Sequence, residues 1–163
     1  MLGKIIVDNK DINFWDPNSE NLVAKVSVNK VKIHHPANST PSTHYSSPKI
    51  GLLNCGAKKN ILRSLLARDF SVYELPWNFD PFINGLPIEG LVISNGPGDP
   101  KMAKESIAII KKALNKKIPT FGICLGNQLL ALAAGGDTYK LKFGHRAQNQ
   151  PTLEVGTKRC FIT

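Results

Sequence analysis

Short apolar runs alternate with segments of helical spacing from Pro48 onward, and this alternation restricts the folds open to the chain. The apolar runs occupy residues 49–54, 71–76, 91–94 and 118–123. Apolar residues recur every three or four positions in residues 57–70, 106–116 and 126–136, which predicts helices. Short apolar strands that alternate with helices are typical of a parallel sheet covered by helices on both faces. We therefore predict an α/β fold.

The first third of the chain lacks this regularity. Residues 1–47 contain only two short strand-like stretches, at Lys4–Asp8 and Leu22–Val28. The stretch 34–48 is rich in Ser, Thr, Pro and His, a composition typical of a linker. We expect a small β-containing tail and a linker over residues 1–47, followed by an α/β region over residues 48–163. Within that region, TYKLKFG at 138–144 and KRCFIT at 158–163 resemble additional strands.

The charge balance by itself selects no partner. The chain has a formal net charge of +9, but its lysines and arginines are scattered in small groups and are not interleaved with aromatic residues. A solvated surface accounts for most of these charges. An acidic protein partner is a better second interpretation than nucleic acid.

The composition favours a soluble cytoplasmic protein. Three cysteines in 163 residues make a disulfide framework improbable and fit a reducing compartment. No secretory signal pattern opens the sequence, and the longest apolar region, 121–136, is too short to cross a bilayer and contains Asn127 and Gln128. The adjacent His34 and His35 have no nearby Cys, Asp or Glu to complete a ligand set, so we expect no metal site.

The sequence FGICLGNQ at residues 121–128 places Cys124 between Gly122 and Gly126. This Gly-x-Cys-x-Gly spacing is the cysteine counterpart of the nucleophile elbow, in which a tight strand-to-helix turn presents the central residue. A sulfur at a helix N-terminus is stabilised as the thiolate, and the next amide, that of Leu125, would face an oxyanion. A buried core cysteine after an apolar strand fits the same spacing. The elbow alone therefore leaves both interpretations open.

A second loop, NGPGDP at residues 95–100, follows the apolar run 91–94. Ligands of open parallel sheets bind at the carboxyl ends of the strands, so three loops are expected at one edge of the sheet: 54–57, 95–100 and 122–126. The glycines of NGPGDP let the backbone approach a ligand closely, but no Lys-Ser or Lys-Thr pair follows Gly98, which excludes a Walker phosphate loop. The loop suits backbone N–H donors for a small polar substrate, and a tight surface turn is the alternative.

Four segments together resemble one family. They are NCGAKKNILRSLL at 54–66, SNGPGDP at 94–100, FGICLGNQLLALAAGG at 121–136 and KLKFGHRAQNQP at 140–151. They are similar to the class I, triad-type glutamine amidotransferase domain of carbamoyl-phosphate synthase small subunits. The resemblance covers residues 48–163, and LVAKVSV at 22–28 resembles the segment before the family's linker. It implies a flavodoxin-like parallel sheet, preceded in residues 1–47 by the end of the family's N-terminal domain.

The resemblance also implies a site and a reaction. Cys124 would attack the side-chain amide of L-glutamine, form a γ-glutamyl thioester and release ammonia. The amides of Leu125 and Gly98 would form the oxyanion hole, and Gly96 and Gln128 would bind the substrate. The ammonia would pass to a large subunit, which uses ATP and Mg²⁺ to make carbamoyl phosphate for arginine and pyrimidine synthesis. The family implies no cofactor in this chain and no catalytic role for Cys55 and Cys160, which we expect to be strand-end or core residues.

The family's His-x-Glu pair, which supplies the base and its orienting carboxylate, is not found in the printed sequence. A thiol nucleophile needs such a base. The one histidine after Cys124 is His145, at a position that the family does not use as its base, and Asn127 replaces the usual histidine of the elbow helix. We expect residues 48–163 to be the front half of the amidotransferase domain and to be poorly active alone. An exposed sheet edge through which two copies associate is a further expectation. His145 as a substitute base is an alternative.

Two other functions fit the sequence. One is a nonhydrolytic scaffold that binds the large subunit, and the other is a triad amidotransferase or cysteine hydrolase of another pathway. Ammonia release distinguishes the scaffold from the enzyme, and substrate preference distinguishes the two enzymes.

Overall fold

The computed structural model describes residues 5–37, 47–141, 149 and 151–162 of the chain. The strands are β1 (Lys32–His34), β2 (Lys49–Asn54), β3 (Ser71–Pro76), β4 (Gly90–Ile93), β5 (Thr120–Gly122), β6 (Pro151–Leu153) and β7 (Cys160–Ile162). The α-helices are α1 (Leu22–Val26), α2 (Lys59–Leu66), α3 (Lys104–Asn115) and α4 (Leu125–Ala133). Short 3₁₀ turns occupy Pro17–Ser19 and Pro100–Met102.

The main sheet has the strand order β1-β3-β2-β4-β5. Strand β1 is antiparallel to β3, whereas the pairs β2–β3, β2–β4 and β4–β5 are all parallel. The chain therefore leaves β2 toward one edge to form β3 and then returns to the other side to form β4 and β5. Sheets of this kind bind ligands where the strand order reverses, which here lies at the carboxyl ends of β2 and β4. The predicted flavodoxin-like α/β sheet is confirmed.

The buried core lies between the sheet and two helices. Successive strand residues point to opposite faces of a sheet. Leu53, Leu91 and Ile93 point to the same face and are buried together with Ile110 of α3 and Leu129 of α4. Helices α3 and α4 therefore form one layer, and they place the start of α4 against the carboxyl end of β4.

The opposite face carries α2 and is less completely covered. Ile61 and Leu65 of α2, together with Val92 and Phe121 of the sheet, line part of a groove of about 340 Å³. No residue of α2 is buried, and Phe121 remains 64% exposed. Within the residues that the structure describes, β5 pairs on one side only, with β4. Helices thus lie on both faces, and β5 forms an open edge.

The N-terminal region differs from its prediction. The stretch Leu22–Val28, expected as a strand, contains helix α1 instead, because the Asn21 side chain accepts a hydrogen bond from the Ala24 amide and caps the helix. Lys4–Asp8 forms no strand in its described part, where Val7 makes a single bridge to Lys10. The β-structure lies further along, in β1, whose last residue was expected to begin the linker.

The C-terminal region agrees with its predicted strands only in part. The segment 138–144 was expected to be a strand; residues 138–141 are irregular, and the remainder lies outside the described residues. The segment 158–163 does contain a strand, β7, which pairs with β6 in a separate two-stranded sheet. Among the described helices, none is long and apolar enough to cross a membrane.

Candidate active site

Cys124 lies in the turn between β5 and α4, where its backbone has φ +55° and ψ −109°. A residue with a side chain rarely adopts a positive φ of this kind, so the turn holds strain at the cysteine. Cys124 is exposed and directly precedes the first helical residue, Leu125. The structure therefore presents the sulfur to solvent at the positive end of α4. It does not bury the cysteine in the core, the alternative that the elbow spacing left open.

The two glycines that flank Cys124 are required by close backbone contacts. A Cβ on Gly122 would lie 2.4 Å from the carbonyl oxygen of Gly126, and a Cβ on Gly126 would lie 2.3 Å from that of Ile93. The amide of Ile123 donates a hydrogen bond of 3.0 Å to the same Ile93 carbonyl, which ties the turn to β4. The turn is therefore tight because neither glycine carries a side chain, while the strained backbone angles fall on the cysteine itself.

The glycine loop after β4 packs directly against this turn. A Cβ on Gly96 would lie 2.2 Å from the carbonyl oxygen of Cys55 and 2.7 Å from Cδ2 of Leu125. Gly98 has a φ of +88°, which glycine adopts without strain. The loop therefore joins the residue after Cys124 to the turn after β2, and all three predicted loops meet at one edge of the sheet.

Two backbone amides at this edge are free to bind a ligand. Among the residues that the structure describes, the N–H groups of Leu125 and Gly98 donate no hydrogen bond within the chain. Leu125 occupies the first turn of α4, where an amide has no intrahelical acceptor. These two donors are the ones that the family resemblance implied for an oxyanion hole, and no described residue accepts a hydrogen bond from either.

Gln128 lies one helical turn beyond the cysteine. Its main-chain N–H donates a hydrogen bond of 3.3 Å to the Cys124 carbonyl, and the residue is exposed. Residues four apart in a helix share a face, so the Gln128 amide group lies on the same side of α4 as the elbow. The predicted substrate-binding residue is therefore placed beside the predicted nucleophile.

A family model described as "Glutamine amidotransferase class-I" matches residues 51–163. The match includes the cysteine turn, the glycine loop and strands β3, β4 and β5. The chain belongs to the class-I glutamine amidotransferase family.

Curated relatives match this chain over nearly its whole length. It is 42% identical over 168 residues to "Multifunctional protein CAD" of Squalus acanthias, covering 100% of this chain and 7% of that protein. It is 39% identical over 165 residues to the human "Carbamoyl-phosphate synthase [ammonia], mitochondrial", covering 100% of this chain and 10% of that protein. It is 44% identical over 166 residues to the "Carbamoyl phosphate synthase arginine-specific small chain" of Debaryomyces hansenii, covering 99% and 37%. The chain thus spans less than half the length of each.

A solved structure supports the fold. The crystal structure of a Thermoplasma acidophilum protein, described as part of a GMP synthase, aligns with a TM-score of 0.56 and 22% identity. The alignment covers 66% of this chain and 55% of that one. The two sheets therefore share their architecture.

The other two cysteines of the chain lie away from the elbow turn. Cys55 is fully buried, and burial raises the pKa of its thiol to about 12, although a hydrogen bond with Ser106 opposes the shift. Cys160 is exposed in the separate strand β7. Cys55 is therefore a core residue directly after β2, and Cys160 is an exposed residue at the end of a strand, as expected.

No described histidine is near Cys124. His34 Nε2 lies 3.0 Å from Oε2 of Glu74, and His35 Nδ1 lies 3.2 Å from Oγ of Ser71. Both partners belong to β3, which is three strand spacings, about 14 Å, from β5. His145, the alternative base, lies outside the described residues. Within the described ranges there is also no cluster of His, Cys, Asp or Glu that could hold a metal ion.

Sequence reasoning missed the residues that support the site from β2. The side-chain oxygen of Asn54 accepts hydrogen bonds from the amides of Gly56 and Ala57, at 2.8 and 2.9 Å, and so shapes the turn after β2. The Ser94 hydroxyl accepts a hydrogen bond of 2.9 Å from the Cys55 amide. An Asn at a strand end with a Gly two residues later is a turn signal that could have identified this support, because an Asn side chain often accepts a hydrogen bond from the amide two residues on.

Helix α1 was also missed, because its sequence was interpreted as a strand. The side chain of Leu22 lies 3.3 Å from the position of a Cβ on Gly98, and that of Val26 lies 2.9 Å from the position of one on Gly56. The N-terminal segment therefore packs on both glycine-containing loops of the site. Only the three-dimensional contact shows this, since nothing in the local sequence links residues so far apart.

Proposed function

We propose that this chain is part of the small, glutamine-hydrolysing subunit of a glutamine-dependent carbamoyl-phosphate synthase. The observation that carries the proposal is the exposed Cys124 in a strained elbow, adjacent to the unpaired amide of Leu125. The names of the three curated relatives support the carbamoyl-phosphate synthase branch of the family. The elbow geometry and these names together favour this function over an amidotransferase of another pathway.

The chemistry follows from the geometry of the elbow. The Cys124 sulfur, at the N-terminus of α4, attacks the side-chain carbonyl carbon of L-glutamine. The carbonyl oxygen becomes an oxyanion that the amides of Leu125 and Gly98 stabilise. The carbon–nitrogen bond then breaks, the nitrogen takes up a proton and leaves as ammonia, and a γ-glutamyl thioester remains. Water hydrolyses the thioester to glutamate and regenerates the thiol.

The substrate would lie between the glycine loop and α4. The backbone of Gly96 and the side chain of Gln128 are the groups that would hold the bound glutamine. The close contact between Gly96 and Leu125 supports this assignment, because it places the loop beside the elbow.

The partner in this proposal is the large subunit of the synthase. Ammonia released at Cys124 would react there with bicarbonate, and the large subunit, not this chain, would use ATP and Mg²⁺. Supply of carbamoyl phosphate for arginine and pyrimidine synthesis is the corresponding role. A cytoplasmic location is part of this proposal, although the human relative is named as mitochondrial.

The proposal includes slow turnover by the 163-residue chain alone. His34 and His35 are bonded to β3 side chains, far from the cysteine. Without a general base, the rate falls by roughly two to four orders of magnitude. The base would then come from outside the described residues.

Ammonia release from L-glutamine tests the function. The purified chain is assayed alone and with a carbamoyl-phosphate synthase large subunit, beside Cys124→Ser and the matched variant Cys160→Ser. We expect Cys124→Ser to abolish release in both arms and Cys160→Ser to leave it unchanged. Release that persists in Cys124→Ser would overturn the assignment of the nucleophile. Binding of the large subunit without any ammonia release would contradict the glutaminase function and indicate a scaffold.

A further inference from the structure

A polar chain of three side chains runs across the sheet from β1 to the end of β2. Nε2 of His34 lies 3.0 Å from Oε2 of Glu74, and Nδ2 of Asn54 donates a hydrogen bond of 2.7 Å to Oε1 of the same carboxylate. The Glu74 side chain is 13% exposed, and Asn54 is buried. Partly desolvated hydrogen bonds to a charged group are stronger than those at the surface.

Asn54 has a partner for each of its polar groups. Its side-chain oxygen accepts from the amides of Gly56 and Ala57, its side-chain nitrogen donates to Glu74, and its main-chain carbonyl accepts from Oγ of Ser27 at 2.6 Å. The carboxylate of Glu74 can only accept, so it fixes which end of the Asn54 amide faces the turn. Without that carboxylate, a buried N–H would lack an acceptor, and the amide could rotate away from the turn.

The turn after β2, which Asn54 holds, is hydrogen-bonded to the glycine loop. Nδ2 of Asn95 donates to the Gly56 carbonyl at 3.2 Å, and the Lys58 amide donates to Oδ1 of Asn95 at 3.0 Å. The next residue, Gly96, packs so closely on the Cys55 carbonyl that no side chain fits between them. A shift of the turn therefore moves the backbone that would contact glutamine.

We infer that Glu74 and Asn54 are positioning residues for the substrate-binding loop, and the inference rests on the proposed glutaminase function. Glu74 fixes the orientation of the Asn54 amide, and Asn54 fixes the turn that supports Asn95 and Gly96. Neither side chain touches the reacting atoms. Their removal should weaken binding of glutamine more than it changes the intrinsic reactivity of the Cys124 thiol.

An exchange of donor and acceptor makes this coupling testable. Asn54→Asp is nearly isosteric and keeps the acceptor for Gly56 and Ala57, but it places a second carboxylate oxygen against Glu74. The double variant Asn54→Asp/Glu74→Gln restores one hydrogen bond between the two positions with its direction reversed. Glu74→Leu removes the acceptor altogether. Glu89→Leu is the matched control, because Glu89 is an exposed carboxylate at the opposite end of the sheet.

The full chain is treated with a chloroketone analogue of L-glutamine, which alkylates a thiol and releases chloride. The inhibition constant KI and the maximal rate kinact are measured for each variant, with iodoacetamide labelling of Cys124 as the undirected comparison. We expect KI to rise about tenfold in Glu74→Leu and Asn54→Asp, the loss expected for one buried charged hydrogen bond. Iodoacetamide rates and the Glu89→Leu control should stay near wild type. The double variant should recover most of the lost affinity.

Several results would overturn the inference. An unchanged KI in Asn54→Asp, or a double variant as weak as Asn54→Asp, would show that the two side chains do not position the loop. An equal change in the iodoacetamide and chloroketone rates would indicate a general loss of structure instead. If the wild-type chain shows no saturable inactivation, the proposed function itself fails, and the inference fails with it. Should Glu74→Leu not fold, the isosteric Asn54→Asp and the double variant still decide between these outcomes.

Discussion

The Cα of Gly126 lies directly against the main-chain carbonyl of Ile93, so that a Cβ on Gly126 would be 2.3 Å from that oxygen. This contact seats the first turn of α4 on strand β4 and sets the position of Cys124 relative to the sheet. The obstacle is a backbone atom in a hydrogen-bonded strand, which cannot move aside as a flexible side chain can. The second glycine of the elbow is therefore a requirement of helix–sheet packing.

We predict that Gly126→Ala destabilises the folded chain by at least about 2 kcal/mol, because the helix must shift away from β4. Urea unfolding followed by circular dichroism measures the effect. Gly90→Ala is the control: a Cβ there would meet mainly Cδ1 of Ile50, a flexible side-chain end at 2.9 Å. Its cost should stay below about 1 kcal/mol. An equal loss of unfolding free energy in the two variants would contradict the proposed packing of α4 on β4.

The strained backbone of Cys124 gives a second prediction. Its φ of +55° favours glycine, so Cys124→Gly should be about 1 kcal/mol more stable than Cys124→Ala, after allowing for the greater flexibility of glycine in the unfolded chain. The comparison uses free energies of unfolding in urea. Both variants lack the thiol, so the difference isolates the backbone. A less stable glycine variant would mean that the turn is not strained.

The buried and exposed cysteines should differ in reactivity with pH. Burial raises the pKa of Cys55 to about 12, so its thiol should resist iodoacetamide up to about pH 9 in the folded chain. Cys124 and Cys160 are exposed and should be labelled under the same conditions. Peptide mapping by mass spectrometry follows each site, and labelling in urea confirms that Cys55 reacts once unfolded. Rapid labelling of Cys55 in the folded chain would contradict its burial.

Asp80 should contribute to stability at neutral pH but not in acid. Partial burial opposes its ionisation, but the Lys112 side chain and the amides of Ile83 and Phe82 together hold its pKa below the usual value. A depressed folded pKa stabilises the fold above the unfolded pKa of about 4 and loses that effect as the pH falls through the folded value. Asp80→Asn should cost about 1 kcal/mol at pH 7, since Lys112 is half exposed, and less below pH 4.

The matched variant for Asp80→Asn is Asp69→Asn. Asp69 is exposed in the turn after α2 and has a φ of +61°, which asparagine also tolerates. Its unfolding free energy should change little at either pH. The interpretation would be wrong if Asp80→Asn were equally destabilised at pH 3 and pH 7.

The regular part of the fold could be predicted because each strand is a short apolar run with clear limits. Strands β2 and β3 coincide with the predicted runs 49–54 and 71–76. Helix α4 was predicted from the apolar spacing of residues 126–136. In these segments the local pattern and the burial in the fold agree, so the sequence suffices.

The N-terminal elements could not be predicted from local pattern. Leu22–Val28 has apolar residues that fit either period, and the cap supplied by Asn21 together with contacts to Gly56 and Gly98 favours the helix. Strand β1 forms because Lys32–His34 pairs with the edge of β3. This pairing is a tertiary contact, which the local sequence does not report.

The candidate site could likewise be predicted only where its signals are local in the sequence. The elbow and the glycine loop carry signals in a few consecutive residues, so Cys124, Gly96 and Gly98 could be identified. The support from Asn54, Glu74 and Asn95 depends on hydrogen bonds across three strands, and no local spacing reports them.

Labelling by the chloroketone analogue of L-glutamine tests the central claim most directly. The claim is that Cys124 faces a glutamine-binding site, and peptide mapping shows which cysteine is modified. The account predicts labelling at Cys124 alone, with a rate that saturates with reagent concentration and falls when L-glutamine is added. Labelling of Cys160 at a similar rate, or labelling of Cys124 that L-glutamine does not slow, would contradict it.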